Sequence, residues 1–103
     1  MIRAERVYVV ELRPTPARYE KSAEFERILP AHLDWVARRQ HDGVLLATGP
    51  FVDEETGQNT GHGLFLFRLP TAAEVAAVVA EDPQVIGGFK EPEIRPWLMR
   101  TIL

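Results

Sequence analysis

The sequence predicts an α+β fold with the element order β-α-β-β-α-β. Three observations carry that prediction. Four runs rich in β-branched, aromatic or aliphatic residues recur at 7–12, 44–48, 63–69 and 93–102. Segments following Pro30 and Thr71 place apolar residues at helical spacing instead. Proline and glycine punctuate the joints between them.

Each element has a local cause. Val7, Tyr8, Val9, Val10 and Leu12 favour a strand, halted by Arg13-Pro14-Thr15-Pro16. Residues 17–29 mix charges with two aromatics and are expected to be partly helical. From Pro30, at about 100° per residue, Leu29, Leu33, Val36 and Ala37 fall on one stripe while Asp34 and Arg38 face away. Pro30 suits a first-turn position, or a kink in a helix that begins earlier. Asp42-Gly43 should end the helix, with His41 near its negative end. Residues 44–48 read as a second strand closed by Gly49-Pro50, and 53–61 as a polar loop. Residues 63–69 read as a third strand stopped by Pro70. Thr71 and Glu74 then form a capping box, in which hydroxyl and carboxylate satisfy orphan amides. Val75, Val78 and Val79 supply the buried stripe of that helix. Asp82-Pro83 ends it, because a residue before proline avoids helical geometry. A turn at Gly87-Gly88 leads to the last strand, 93–102.

This order is the ferredoxin-like arrangement, with two helices on one face of a four-stranded antiparallel sheet. A sheet covered on one face should alternate apolar and polar residues. The first three strands are apolar on both faces. The uncovered face therefore calls for a partner, and a homodimer packed sheet to sheet is expected.

Composition narrows the function. A chain of 103 residues makes one domain, 1–103, with one modest core. Twelve Lys+Arg against fifteen Asp+Glu give a net charge of −3, which argues against a nucleic-acid partner. The chain has no cysteine, which removes disulfides, thiolate nucleophiles and cysteine-based metal sites. The start of the sequence lacks the apolar run of a signal peptide, and no stretch reaches the roughly eighteen apolar residues of a membrane span. A soluble cytoplasmic protein with no membrane partner is the expectation.

Few residues are left to carry chemistry. His32 sits at the border of the apolar stripe, as a half-buried structural histidine or as a general acid/base reached from a cleft. His41 reads as a helix C-terminal charge, and His62 lies between two glycines at a strand entrance. No metal-ligand spacing is present, so no metal and no cofactor are expected. Asp53, Glu54 and Glu55 read as a solvated loop, since the alternating oxygen ligands of a calcium site are missing. Asp82 reads as a helix-stop residue or as a partner for His32, fixing the imidazole tautomer and leaving the other nitrogen to move a proton. Ser22, Thr48 and Thr60 lie in no recognisable nucleophile pattern, and the glycines form no phosphate loop.

Taken in order, Ala31-His32-Leu33, Gly43-Val44-Leu45, Gly49-Pro50, Asp82-Pro83 and Ile94-Arg95-Pro96-Trp97 resemble the YCII-related family over about residues 7 to 99. The resemblance implies a ferredoxin-like fold that dimerises as an α/β barrel. It also implies an active-site pair matching His32 and Asp82. The family is similar to muconolactone isomerases, and some relatives act on chlorinated lactones. Two departures reshape the pocket. Gln84 follows Asp82-Pro83 where the family usually has an aromatic, and the segment from Pro14 to Pro30 is longer than usual. The substrate is therefore not carried over.

Two functions compete. In the first, the protein is a cofactor-independent enzyme. His32, oriented by Asp82, moves a proton next to a carbonyl or lactone in an isomerase, lyase or dehalogenase-like step. The turn at Gly49-Pro50 admits the ligand close to the backbone, and Phe51, Phe89 and Trp97 wall an apolar pocket. In the second, the protein is a noncatalytic small-molecule binding or accessory domain, and His32 and Asp82 are a structural pair. An oxygen-dependent monooxygenase is a third reading that rests on fold analogy alone.

Overall fold

The computed structural model describes residues 1–102. Its elements run β1 (Ile2–Pro14), α1 (Pro16–Glu20), α2 (Ser22–His41), β2 (Leu45–Val52), β3 (Asn59–Phe67), α3 (Ala72–Val79), α4 (Pro83–Ile86) and β4 (Lys90–Ile102). The four strands form one antiparallel sheet in the order β2-β3-β1-β4. This is the ferredoxin-like βαββαβ arrangement, with each helical layer divided into a short and a longer helix. No helix among the described residues is long and apolar enough to cross a membrane.

The strands run further than their apolar runs. β1 and β4 pair without interruption from Ile2↔Ile102 to Pro14↔Lys90, so pairing carries charged residues at both ends into the ladder. β2 continues through Gly49 and Pro50 to Val52, where a closing turn was expected. It lies at the sheet edge, where the missing proline N–H breaks no necessary ladder bond, and irregular register flanks the site at Leu45/Ala47 and Pro50/Val52. β3 begins at Asn59, inside the expected polar loop.

The main helix starts at Ser22, so Pro30 lies inside it and not in its first turn. The buried stripe differs from the expected one. Phe25, Trp35 and Val36 are buried, whereas Leu33 is 62% exposed and Ala37 also faces outward. Gly43, with φ +77°, follows the helix end where a left-handed residue is needed. In α3 the Thr71 hydroxyl accepts from the Glu74 amide at 3.2 Å. The reciprocal bond from the Thr71 amide to the Glu74 carboxylate is not formed. Val75 and Val79 are buried, with Val78 packed against the core edge.

One core lies between the sheet and the helices. Tyr8, Val10, Phe65, Phe67 and Leu45 face Trp35, Val36, Val75 and Val79. The Trp35 and Phe65 rings are 5.5 Å apart, and Phe65 meets Phe67 edge-on at 5.4 Å. Val9, Ala47, Leu66 and Trp97 line a shallow, largely apolar groove with Phe51. Val9 pairs with Leu66, and Leu66 with Ala47, across the ladders. Their parity with respect to Val10 and Phe65 assigns this row to the face opposite the helices.

Candidate active site

His32 sits on α2, and Asp82 lies in the joint between α3 and α4. Proline at 83 holds Asp82 extended, at φ −63° and ψ 124°, and starts the next helix. The Asp82 carboxylate is fully buried, and its Oδ1 accepts the Gln84 amide at 3.0 Å as the α4 cap. The same oxygen lies 2.8 Å from His32 Nδ1. With Asp82 as a carboxylate, which only accepts, Nδ1 is the donor in this bond, and a neutral ring then keeps its lone pair on Nε2. No described residue bonds Nε2. The His32 side chain is 13% exposed, and its ring packs near Trp35 and Phe65 at centroid distances of 6.4 and 6.5 Å. Asp82 Oδ2 is buried without a partner among the described residues.

His32 opens onto a cavity of about 620 Å³. Leu29, Leu33 and Val36 from α2 and Phe65 from β3 give it an apolar body. That explains the exposure of Leu33, which lines a cavity and does not fill the core. Thr48, Thr60 and His62 line the edge-strand side, along with Gly49 and Pro50.

A second group of residues closes the far wall. Lys90, at the start of β4, donates to the Gly61 carbonyl. Gly61 has φ +87°, and a Cβ there would lie 2.9 Å from the Tyr19 hydroxyl oxygen, so glycine permits this close approach. The Arg18 guanidinium carbon sits 3.9 Å from the centre of the Phe25 ring, and Lys90 Nζ sits 5.7 Å from the same centre. Burial holds the Lys90 ammonium below the usual lysine range; Arg18 pushes the same way and Asp82 opposes them.

The structure brings together His32, Asp82, Gly49 and Pro50 of the expected site. It does not bring Phe51, Phe89 or Trp97 to the cavity. Phe51 and Trp97 line the groove on the opposite sheet face. Phe89 is buried behind the cavity wall, edge-on to Phe25 at 5.5 Å. Arg18, Gln84 and Lys90 line the cavity without any sequence pattern marking them, although Gln84 and the 14–30 segment are the two departures noted above. His41 ends α2, and Asp53 caps its own turn, accepting the Glu55 and Thr56 amides at 3.0 Å, which hold its carboxyl below the usual range.

The sequence profile described as YCII-related domain matches residues 7–98. No curated protein matches the sequence. Among solved structures, the chain is similar to 5-chloro-2-hydroxyhydroquinone dehydrochlorinase from Burkholderia phenoliruptrix AC1100, in complex with 2,5-dihydroxybenzoquinone. The TM-score is 0.70 at 16% identity, over 88% of this chain and 92% of that one. An antibiotic biosynthesis monooxygenase matches at TM-score 0.49 and 17% identity, over 96% of this chain and all of the other.

Proposed function

Because the chain belongs to the YCII-related domain family, we propose that it is a cofactor-independent small-molecule enzyme whose base is His32 and whose positioning residue is Asp82. One observation carries the reading: a buried carboxylate 2.8 Å from Nδ1 of an imidazole whose other nitrogen is unbonded, beside a cavity. Nε2 takes a proton from a carbon next to a carbonyl, or from a ring hydroxyl. The electron pair left behind moves into the conjugated system. The imidazolium then returns the proton at a second atom, which is an isomerisation, or a leaving group departs with the electron pair and the imidazolium releases its proton to water, which is an elimination. The dehydrochlorinase named above supports the second course. Asp82 stabilises the imidazolium throughout.

Deuterium exchange from heavy water into a panel of hydroxyquinones, lactones and their chlorinated forms, with chloride release read in parallel, tests this. The wild-type chain should exchange or eliminate on at least one class, and His32→Ala should lower the rate by about 10²–10⁴-fold. Equal rates for wild type and His32→Ala would falsify the assignment.

A second reading keeps the pair as structure. Asp82 Oδ1 serves both the α4 cap and His32, so it ties α2 to the α3–α4 joint. A binding domain needs nothing more. It predicts saturable ligand binding, no exchange on any ligand, and a loss confined to stability on substitution. In either reading the apolar outer sheet face is covered by a second copy of the chain.

A further inference from the structure

We infer that the cavity beside His32 binds an anionic oxygen of its ligand, a carboxylate or an ionised ring hydroxyl, between the Lys90 ammonium and the Arg18 guanidinium. The inference rests on the reading of this cavity as a small-molecule site and names the class of ligand it takes.

Charge is distributed unevenly about this molecule. The chain carries a net charge of −3, with fifteen acidic residues. No aspartate or glutamate lines the cavity, whereas Arg18 and Lys90 both do. Neither cation forms an ion pair among the described residues, although Arg13, Arg38, Arg39, Arg68 and Arg95 all do. Arg18 rests on the Phe25 ring, and Lys90 spends one of its three donors on the Gly61 carbonyl. Five guanidinium donors and two ammonium donors remain. The buried carboxylate of Asp82 gives Oδ1 to His32 and to the α4 cap; its charge favours the Lys90 ammonium, but it forms no ion pair with either cation.

Holding two like charges around one ring is unfavourable by itself. The Lys90 ammonium is disfavoured first by burial and then by Arg18. An anion placed between them supplies the missing counter-charge where water is partly excluded, so its effect exceeds that of a surface pair. The same placement orients the ligand. Its anionic oxygen points to β4 and α1, its body lies on Leu29, Leu33 and Phe65, and a reacting atom is left for His32.

The test is an amide-resolved NMR titration of the full chain with two matched pairs. Benzoate is compared with benzamide, and 4-nitrophenolate with 4-nitroanisole in mildly alkaline buffer. Each anion should perturb cavity residues and bind about tenfold more tightly than its neutral partner, as expected for a charge-assisted hydrogen bond. The pair with the larger ratio tells carboxylate from ionised hydroxyl. Lys90→Met and Arg18→Gln should each bring the ratio close to one; the Arg18 side chain is partly exposed, so its variant serves if Lys90→Met does not fold. Equal binding of anion and neutral partner, or a ratio that survives both substitutions, overturns the inference and leaves the cavity a ligand site. Failure of all four compounds to perturb any cavity residue overturns both the inference and the reading beneath it.

Discussion

His32 Nδ1 and Asp82 Oδ1 meet at 2.8 Å across fifty positions of sequence, with the carboxylate fully buried and the imidazole almost so. Two separate pieces of local chemistry make the contact. Pro83 fixes Asp82 in an extended conformation and turns its side chain back to cap α4. α2, seated on the sheet by Phe25, Trp35 and Val36, presents His32 to that joint. The imidazole thereby loses rotational freedom and keeps one defined tautomer, which is what proton transfer at Nε2 requires.

His32→Ala leaves Asp82 buried with neither the imidazole nor a partner for Oδ2. The loss of stability should be about 1–3 kcal/mol, read as a lower urea midpoint. Asp82→Asn keeps an oxygen that can accept from both Nδ1 and the Gln84 amide, so it should cost less stability. It removes the negative charge that stabilises an imidazolium, so turnover on any identified substrate should still fall by about 10²-fold or more. The two variants separate structure from catalysis. Parallel losses of stability and turnover in both would mean that the pair acts through the fold and not through proton transfer. Lost stability with no turnover on any ligand would favour the binding-domain reading.

Much of this was legible because it is local. The Thr71 cap, the Val75 and Val79 stripe and the Asp82-Pro83 stop depend on neighbours a few residues apart. His32 and Asp82 stand out by residue type in a chain without cysteine. Four things were hidden. The stripe read for α2 passed through Leu29, Leu33, Val36 and Ala37 and left out Trp35, which the fold buries. β2 runs through Gly49-Pro50 because the edge of a sheet tolerates proline, a fact of position and not of composition. Phe51, Phe89 and Trp97 are ordinary apolar residues, and only the folded sheet shows that two of them line the groove on the opposite face. Arg18 and Lys90 reach one ring from distant elements, a juxtaposition that no spacing encodes.

Gly87 is a packing position. Its φ of −76° suits any residue, yet a Cβ there would stand 2.4 Å from Phe89 Cε2. Phe89 is buried against Phe25 and has little room to yield. Gly87→Ala should cost about 1–3 kcal/mol through overpacking. Gly49→Ala meets nothing within 4 Å and should stay within about 0.5 kcal/mol of wild type. Thermal melts of the two variants side by side check this, and an unchanged Gly87→Ala would contradict the packing.

Lys90 sets a pH dependence whose sign follows from its lowered value. The folded chain releases this proton at a lower pH than the unfolded chain, whose lysine titrates near 10.5. Between the two values the unfolded state binds more protons, so the Lys90 contribution makes stability rise with pH across that alkaline window. Lys90→Met should flatten this rise. Urea midpoints of both proteins, measured at intervals up to about pH 10.5, give the difference in slope. A variant that tracks wild type at every pH would show that Lys90 is as well solvated folded as unfolded.

The outer sheet face makes the last prediction. Val9, Ala47, Leu66, Phe51 and Trp97 line one groove, and Phe51 and Trp97 stand 48% and 49% exposed. Contiguous apolar surface of this kind on a sheet marks an interaction site, and burying it in a second copy removes it from water at about 25 cal/mol per Å². Light scattering should therefore give twice the 11.7 kDa chain mass at low micromolar concentration. Leu66→Glu places a charge in the middle of the groove and should halve that mass, without touching His32 or Asp82 on the far side of the sheet. Fluorescence gives an independent readout because the two tryptophans differ. Trp35 is 3% exposed within the core, so only Trp97 should move to longer wavelength as the wild-type protein is diluted. A wild-type chain that stays at the monomer mass, with an emission maximum indifferent to dilution, would leave the apolar face without a second copy to cover it.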